Sequence, residues 1–198
     1  MELAWFVFLA GWLLFLGSHS LRVFAPAWRD RQRQRWGEAR WKGLYSLTAI
    51  AGFGMLAWGY GQLHFQLAPL FVLPDGAARG LRHLVALLVL PAFWLMLAAY
   101  VPRNHLKARL KHPMTLSVKL WALAHLLVNH TAADLLLFGG FLLWAVLLFR
   151  SARRRPADVP AGSWPGTLAV LVLGTAAYLV FALWLHVQWI GVAPFLRS

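Results

Sequence analysis

Residues 132–149 read AADLLLFGGFLLWAVLLF, and residues 150–155 that follow read RSARRR. An apolar run of this length is what an α-helix needs to cross a hydrocarbon layer about 30 Å thick. The arginine cluster behind it is the signature of a cytoplasmic flank. Moving outward, the same motif recurs. Apolar stretches run from Leu3 to about Val23, from Gly43 to Gln62, from Leu81 to Val101, from Met114 to Val128 and from Thr167 to Val187. Uninterrupted apolar runs lack the alternation of a membrane β-barrel, and an open sheet cannot satisfy its backbone in lipid. The expected fold is therefore all-α, a polytopic membrane bundle of about six helices.

The composition agrees. The chain has 198 residues, 61% hydrophobic and 13% charged, against about 45–50% and about 25% in a soluble domain. That excludes both a soluble globular protein and a disordered one. The length fits a single domain over 1–198, with little room for an aqueous one beside it.

Net charge is +13, from 19 Lys+Arg and 6 Asp+Glu. In a soluble chain this would suggest nucleic acid; here it is topological. Arg22 to Lys42, Arg103 to Lys111 and Arg150 to Arg155 together hold 15 of the 19 basic residues. The other basic residues are Arg79, Arg82, Arg197 and Lys119, the last within the short fourth stretch, where its amine can snorkel. Basic and non-basic loops alternate in step with six crossings. Both termini are then expected outside, periplasmic in a bacterial inner membrane, with the bilayer as partner and no nucleic acid. Glu2 stands where a signal peptide would be basic, so the first stretch is expected to be a retained helix.

The chain has no cysteine. Disulfides, thiolate metal sites, iron–sulfur clusters, cysteine nucleophiles and C-x-x-C-H haem attachment are excluded. Gly52, Gly54, Gly59, Gly61, Gly139 and Gly140 are expected to allow close helix packing. Trp28, Trp36, Trp41, Trp164 and Trp189 fall near span ends, as interfacial tryptophans do. Thr131-Ala-Ala-Asp134 reads as a capping box.

The eight histidines are the chemical signal. His125 lies about 18 Å along its helix from Pro113, among apolar neighbours. His19 lies in the inner half of the first span. His112 precedes Pro113, a natural helix start. His83, His105 and His130 are expected near interfaces, and His64 and His186 near the outer one. An intramembrane ionisable residue is a functional candidate. Imidazoles on two helices can ligate a haem iron, or simply bond to a neighbouring helix.

Three stretches carry a resemblance: LGSHSLR at 16–22, KHPMTLSVKLWALAHLLVN at 111–129 and ADLLLFGGFLLWA at 133–145. They resemble the NnrU family, bacterial membrane proteins associated with nitrite and nitric oxide metabolism in denitrification. The specific part is the His-Pro pair followed by a second histidine. The same pattern is similar to the NnrU-like domain of 15-cis-zeta-carotene isomerases, which bind haem b. The resemblance implies haem b held by His19 and His125, with His112 as an exchange ligand or supporting residue. It also implies possible partners among nitrite or nitric oxide reductase components. A haem-dependent isomerase and a non-catalytic accessory protein for those reductases are the alternatives. A membrane methyltransferase of the isoprenylcysteine type shares a His-Pro motif, but Thr115 follows HPM here and Asp158 is the only acid after Arg150.

Overall fold

The structure, a computed structural model, describes residues 1–157 and 159–195; Asp158 and Arg197 lie outside the described residues. It is helical, with no strand among the described residues. Ten α-helices follow in order: α1 (Glu2–Phe24), α2 (Pro26–Trp36), α3 (Glu38–His64), α4 (Asp75–Tyr100), α5 (His105–Leu110), α6 (Pro113–Leu126), α7 (Ala132–Asp134), α8 (Gly140–Arg153), α9 (Trp164–Val180) and α10 (His186–Ile190). Two π-helical turns, Leu135–Gly139 and Phe181–Leu185, join α7 to α8 and α9 to α10. Each of the six apolar stretches forms helix. Four of the resulting helices are long and apolar enough to cross a membrane: Glu2–Phe24, Asp75–Tyr100, Ala132–Arg153 and Trp164–Ile190. α3 has the length, with 27 residues, but not the hydropathy; α6 has 14 residues.

The chain forms two compact units. The first comprises Met1–Ala68 and Thr131–Leu137; the second comprises Pro69–His130 and Phe138–Ser198.

In the first unit α1 and α3 pack antiparallel. Buried positions on α3 are Gly52, Leu56, Gly59 and Leu63, and on α1 Ala4, Phe8 and Gly11. The alternating steps of four and three put these residues on one helical seam. Glycine sets the separation. A Cβ on Gly11 would lie 2.3 Å from the Leu56 amide nitrogen, and one on Gly59 2.6 Å from that of Phe8. Gly52 meets Phe15 in the same way, whereas Gly54 and Gly61 face open space. The backbones therefore touch where lipid would otherwise intervene.

α2 occupies part of what the sequence reads as a basic connection. Pro26 at its first position fixes a helical φ. Its Trp28 and Trp36 rings lie 6.2 and 5.9 Å from that of Trp41 on α3. Ion pairs join Arg33 and Lys42 to Glu38, and Arg29 to Asp30.

The second unit packs by side chains reaching backbone carbonyls and by rings. Ser117 of α6 donates to the Ala92 carbonyl of α4 (2.7 Å). Tyr178 of α9 donates to Ala86 (3.1 Å), and the Trp94 indole donates to Thr175 (2.9 Å). These pairings make α9 antiparallel to α4. At one end, the Ser163 amide and hydroxyl both donate to the Arg103 carbonyl, at 2.7 and 2.8 Å. Gly162 and Gly166 press there against His105 and Arg103, with no room for a side chain. α6 and α8 are also antiparallel: Trp121 meets Phe138 and Phe141, and His112 meets Phe149. The basic loop ends of α4, α6, α8 and α9 thus gather at one end of this unit.

Candidate functional site

His19 belongs to the first unit. Its Nδ1–H donates to the Phe15 carbonyl one turn back (2.7 Å). A carbonyl can only accept, so Nδ1 carries a proton. The ring is half-buried, 4.4 Å from Phe15 and 5.3 Å from Tyr45. Ser18, also bonded to the Phe15 carbonyl, lies 3.4 Å from Nδ1.

His125 belongs to the second unit and repeats the arrangement. Its Nδ1–H donates to the Trp121 carbonyl (2.8 Å). The ring stacks on Phe138 at 4.9 Å and 26°, with Trp121 at 5.2 Å. Phe138 lies in the π-helical turn, whose wider winding alters which side chains follow on that face. His112 caps the other end of α6, about 20 Å from His125 by helix rise. Its ring meets Phe149 at 6.2 Å, edge to face. His112 and His125 thus occupy separate places in their unit.

Histidines with their Nδ1–H held by a backbone carbonyl have the tautomer that metal-bound histidine takes. Each of these histidines, taken by itself, is a donor of the kind that ligates a haem iron. Among the described residues, no group of three or more His, Asp or Glu side chains forms a metal cage. A bis-imidazole haem needs only two.

A third histidine has a partner that the sequence alone does not reveal. Asp134, 1% exposed, accepts from the Tyr60 hydroxyl (2.7 Å) and from His64 Nδ1 (3.0 Å) through one oxygen. Its other oxygen accepts from the Thr131 amide (2.9 Å), while the Asp134 amide donates to the Thr131 hydroxyl (3.2 Å). The expected capping box is present, and the carboxylate also ties α3 to α7. The i,i+4 spacing of Tyr60 and His64 puts both on one helical face, which was the available signal. Their acid lies 70 residues further along the chain.

The remaining described histidine contacts read as structural. His105 meets Thr167 (2.8 Å) and the Trp164 ring, His186 donates to the Val192 carbonyl (2.7 Å), and His130 packs on Phe71. An open depression beside α2 is lined by Asp30, Arg33, Gln34 and Glu38 and holds no histidine. Hydrogen bonds from Arg33 and then Lys42 hold the exposed Glu38 carboxyl below its ordinary range.

The sequence profile of the NnrU protein family matches residues 7–194. No curated protein and no solved structure matches the chain.

Proposed function

Because the chain belongs to the NnrU family, we propose that it is a haem b protein of the bacterial inner membrane serving nitrite and nitric oxide metabolism, with His19 and His125 as axial ligands. The observation that carries this reading is the shared tautomer. Each ring donates Nδ1–H to the carbonyl four residues before it, at 2.7 and 2.8 Å, which orients the ring and leaves Nε2 basic. Aromatic neighbours, Phe15 and Tyr45 at one histidine and Phe138 and Trp121 at the other, exclude water and favour a flat apolar macrocycle.

Bound haem supplies one-electron exchange and ligation of small diatomic gases. The chain's part is to orient the two imidazoles through their Nδ1–H bonds and to set aromatic rings against them. His112, about 20 Å along α6 from His125, supports that end of the helix against the Phe149 ring and does not reach the same iron. Partners among the nitrite or nitric oxide reductase components belong to the same proposal.

The proposed topology has six crossings with both termini outside. It is supported by helices at all six apolar stretches, by antiparallel packing within each unit, and by the gathering of basic loop ends in the second unit. α6 is short, but without its return the basic ends of α4 and α8 would not share a face.

An absorption spectrum of the detergent-purified chain, oxidised and then reduced, tests the haem. A Soret band is expected. His19→Ala and His125→Ala should each abolish it, while His112→Ala, remote from both ligands' proposed iron, should keep haem with an unchanged spectrum. No Soret band in protein produced with ample haem overturns the proposal. Unchanged spectra in both ligand variants overturn the assignment of ligands.

A further inference from the structure

The second unit holds a cluster of positive charge that the proposed haem chemistry does not use. Lys119 lies inside α6, two turns from its start, and its ammonium sits 3.8 Å from the centre of the Phe149 ring. The Arg153 guanidinium approaches the same ring at 5.8 Å. His112 meets that ring edge-on at 6.2 Å. Arg150, next to Phe149 in sequence, lies with Arg153 in the last turn of α8. Like charges thus converge at one end of α6 and α8, where the apolar span Ala132–Arg153 finishes.

No carboxylate among the described residues balances them. In the second unit the described acid is Asp75, at the start of α4. It lies about 25 Å along that helix from Ala92, where Ser117 of α6 bonds. A ring face attracts a cation, but it does not neutralise several. An anion from outside the chain would complement this charge.

We propose that Lys119 and Arg153 at the Phe149 ring, with Arg150 in the same last turn of α8, form a binding site for the phosphodiester headgroup of an anionic phospholipid. Three features select a lipid over a soluble anion. The site lies where a membrane-spanning helix ends, which is headgroup level. Lys119 lies a turn or two inside that end, as a snorkelling amine does. Beside it, Met114, Leu123 and Leu143 on the same two helices are exposed apolar side chains, suited to acyl chains. The cluster is independent of any bound haem, so the proposal stands or falls apart from the haem reading.

The test is competition for the full-length chain in detergent micelles, read by native mass spectrometry. Phosphatidylglycerol and phosphatidylcholine are supplied in equal amounts. Phosphatidylglycerol should be retained in preference, with each cation contributing about fivefold. Lys119→Met should lower that preference by about fivefold, and the exposed Arg153→Gln by the same order, both with unchanged helical circular dichroism. Arg79→Gln, at the other end of α4, should leave it unchanged. Equal retention of the two lipids by the unaltered protein overturns the proposal, and needs no variant to fold. So does an undiminished preference in both cluster variants. Displacement of phosphatidylglycerol by millimolar inorganic phosphate also overturns it, in favour of a site for the free anion.

Discussion

The two units solve the same problem of packing in lipid by different means. In the first, glycine brings two backbones into contact along a seam, and carboxylates neutralise cations: every ion pair among the described residues lies there. In the second, helices are linked by hydroxyl and indole groups bonded across helices and by stacked rings, and Lys119 and Arg153 meet an aromatic ring, with no ion pair among the described residues. Hydrocarbon gives helices little hydrophobic reason to associate, so association rests on contact area and polar links. The first unit lines such tight glycines along one helix–helix seam, whereas in the second they stand apart, Gly162 and Gly166 at the loop end and Gly174 against Trp94. The second spreads its association over many modest links.

This contrast is sharpest at Gly11. Gly11→Leu places side-chain atoms where the Leu56 backbone lies. It should destabilise by about 3 kcal/mol or more and remove the monodisperse peak in size-exclusion chromatography. Gly54→Leu, on an open face, should be tolerated. Equal tolerance of both would refute the seam. Next in size is Asp134→Ala, which strips a buried acceptor from Tyr60, His64 and the Thr131 amide. About 2–3 kcal/mol is expected, read as a lower midpoint of thermal unfolding. Ser117→Ala tests one link of the second unit. A loss of only about 0.6 kcal/mol is expected, and a loss as large as that of Asp134→Ala would erase the distinction between the units.

The smallest effect is that of pH on the exposed Arg33–Glu38–Lys42 cluster. Glu38 has a depressed pKa in the folded chain. Its contribution is therefore present above its ordinary value of 4.5 and is lost as pH falls through the lower folded value. Glu38→Gln should flatten the slight acid sensitivity of the thermal midpoint below that pH. A variant with an unaltered pH profile would show that the cluster carries no stability.

Hydropathy is a local property, so the helices were legible: each apolar stretch became one, and Pro113 opened α6 as expected. The capping box at Thr131 was legible for the same reason, since its partners are three residues apart. α2 was not. A helix polar on all sides has no apolar stripe to read, and its tryptophans find Trp41 only once α3 is in place. The glycines were half legible. Gly52 and Gly59 face α1 while Gly54 and Gly61 do not, and Gly11 supplies the opposing surface. Composition names small residues, but the partner helix decides which of them matter. The site followed the same rule. His19 and His125 stood out by their apolar surroundings, and their carbonyl bonds are local. The Tyr60–His64–Asp134 link joins distant segments: the spacing of Tyr60 and His64 was legible, but not the acid that lies 70 residues beyond His64.

The bonds between α4 and α9 have a consequence for biosynthesis. Tyr178 reaches Ala86 and Trp94 reaches Thr175, across 92 and 81 residues. At about 5–20 residues per second on the ribosome, α4 waits several seconds or more after emerging before its partner exists. During that interval its Trp94 indole needs lipid headgroups, water or the insertion machinery as a stand-in. Chains stalled before Ser163 should therefore be the ones that quality-control proteases in the membrane find first.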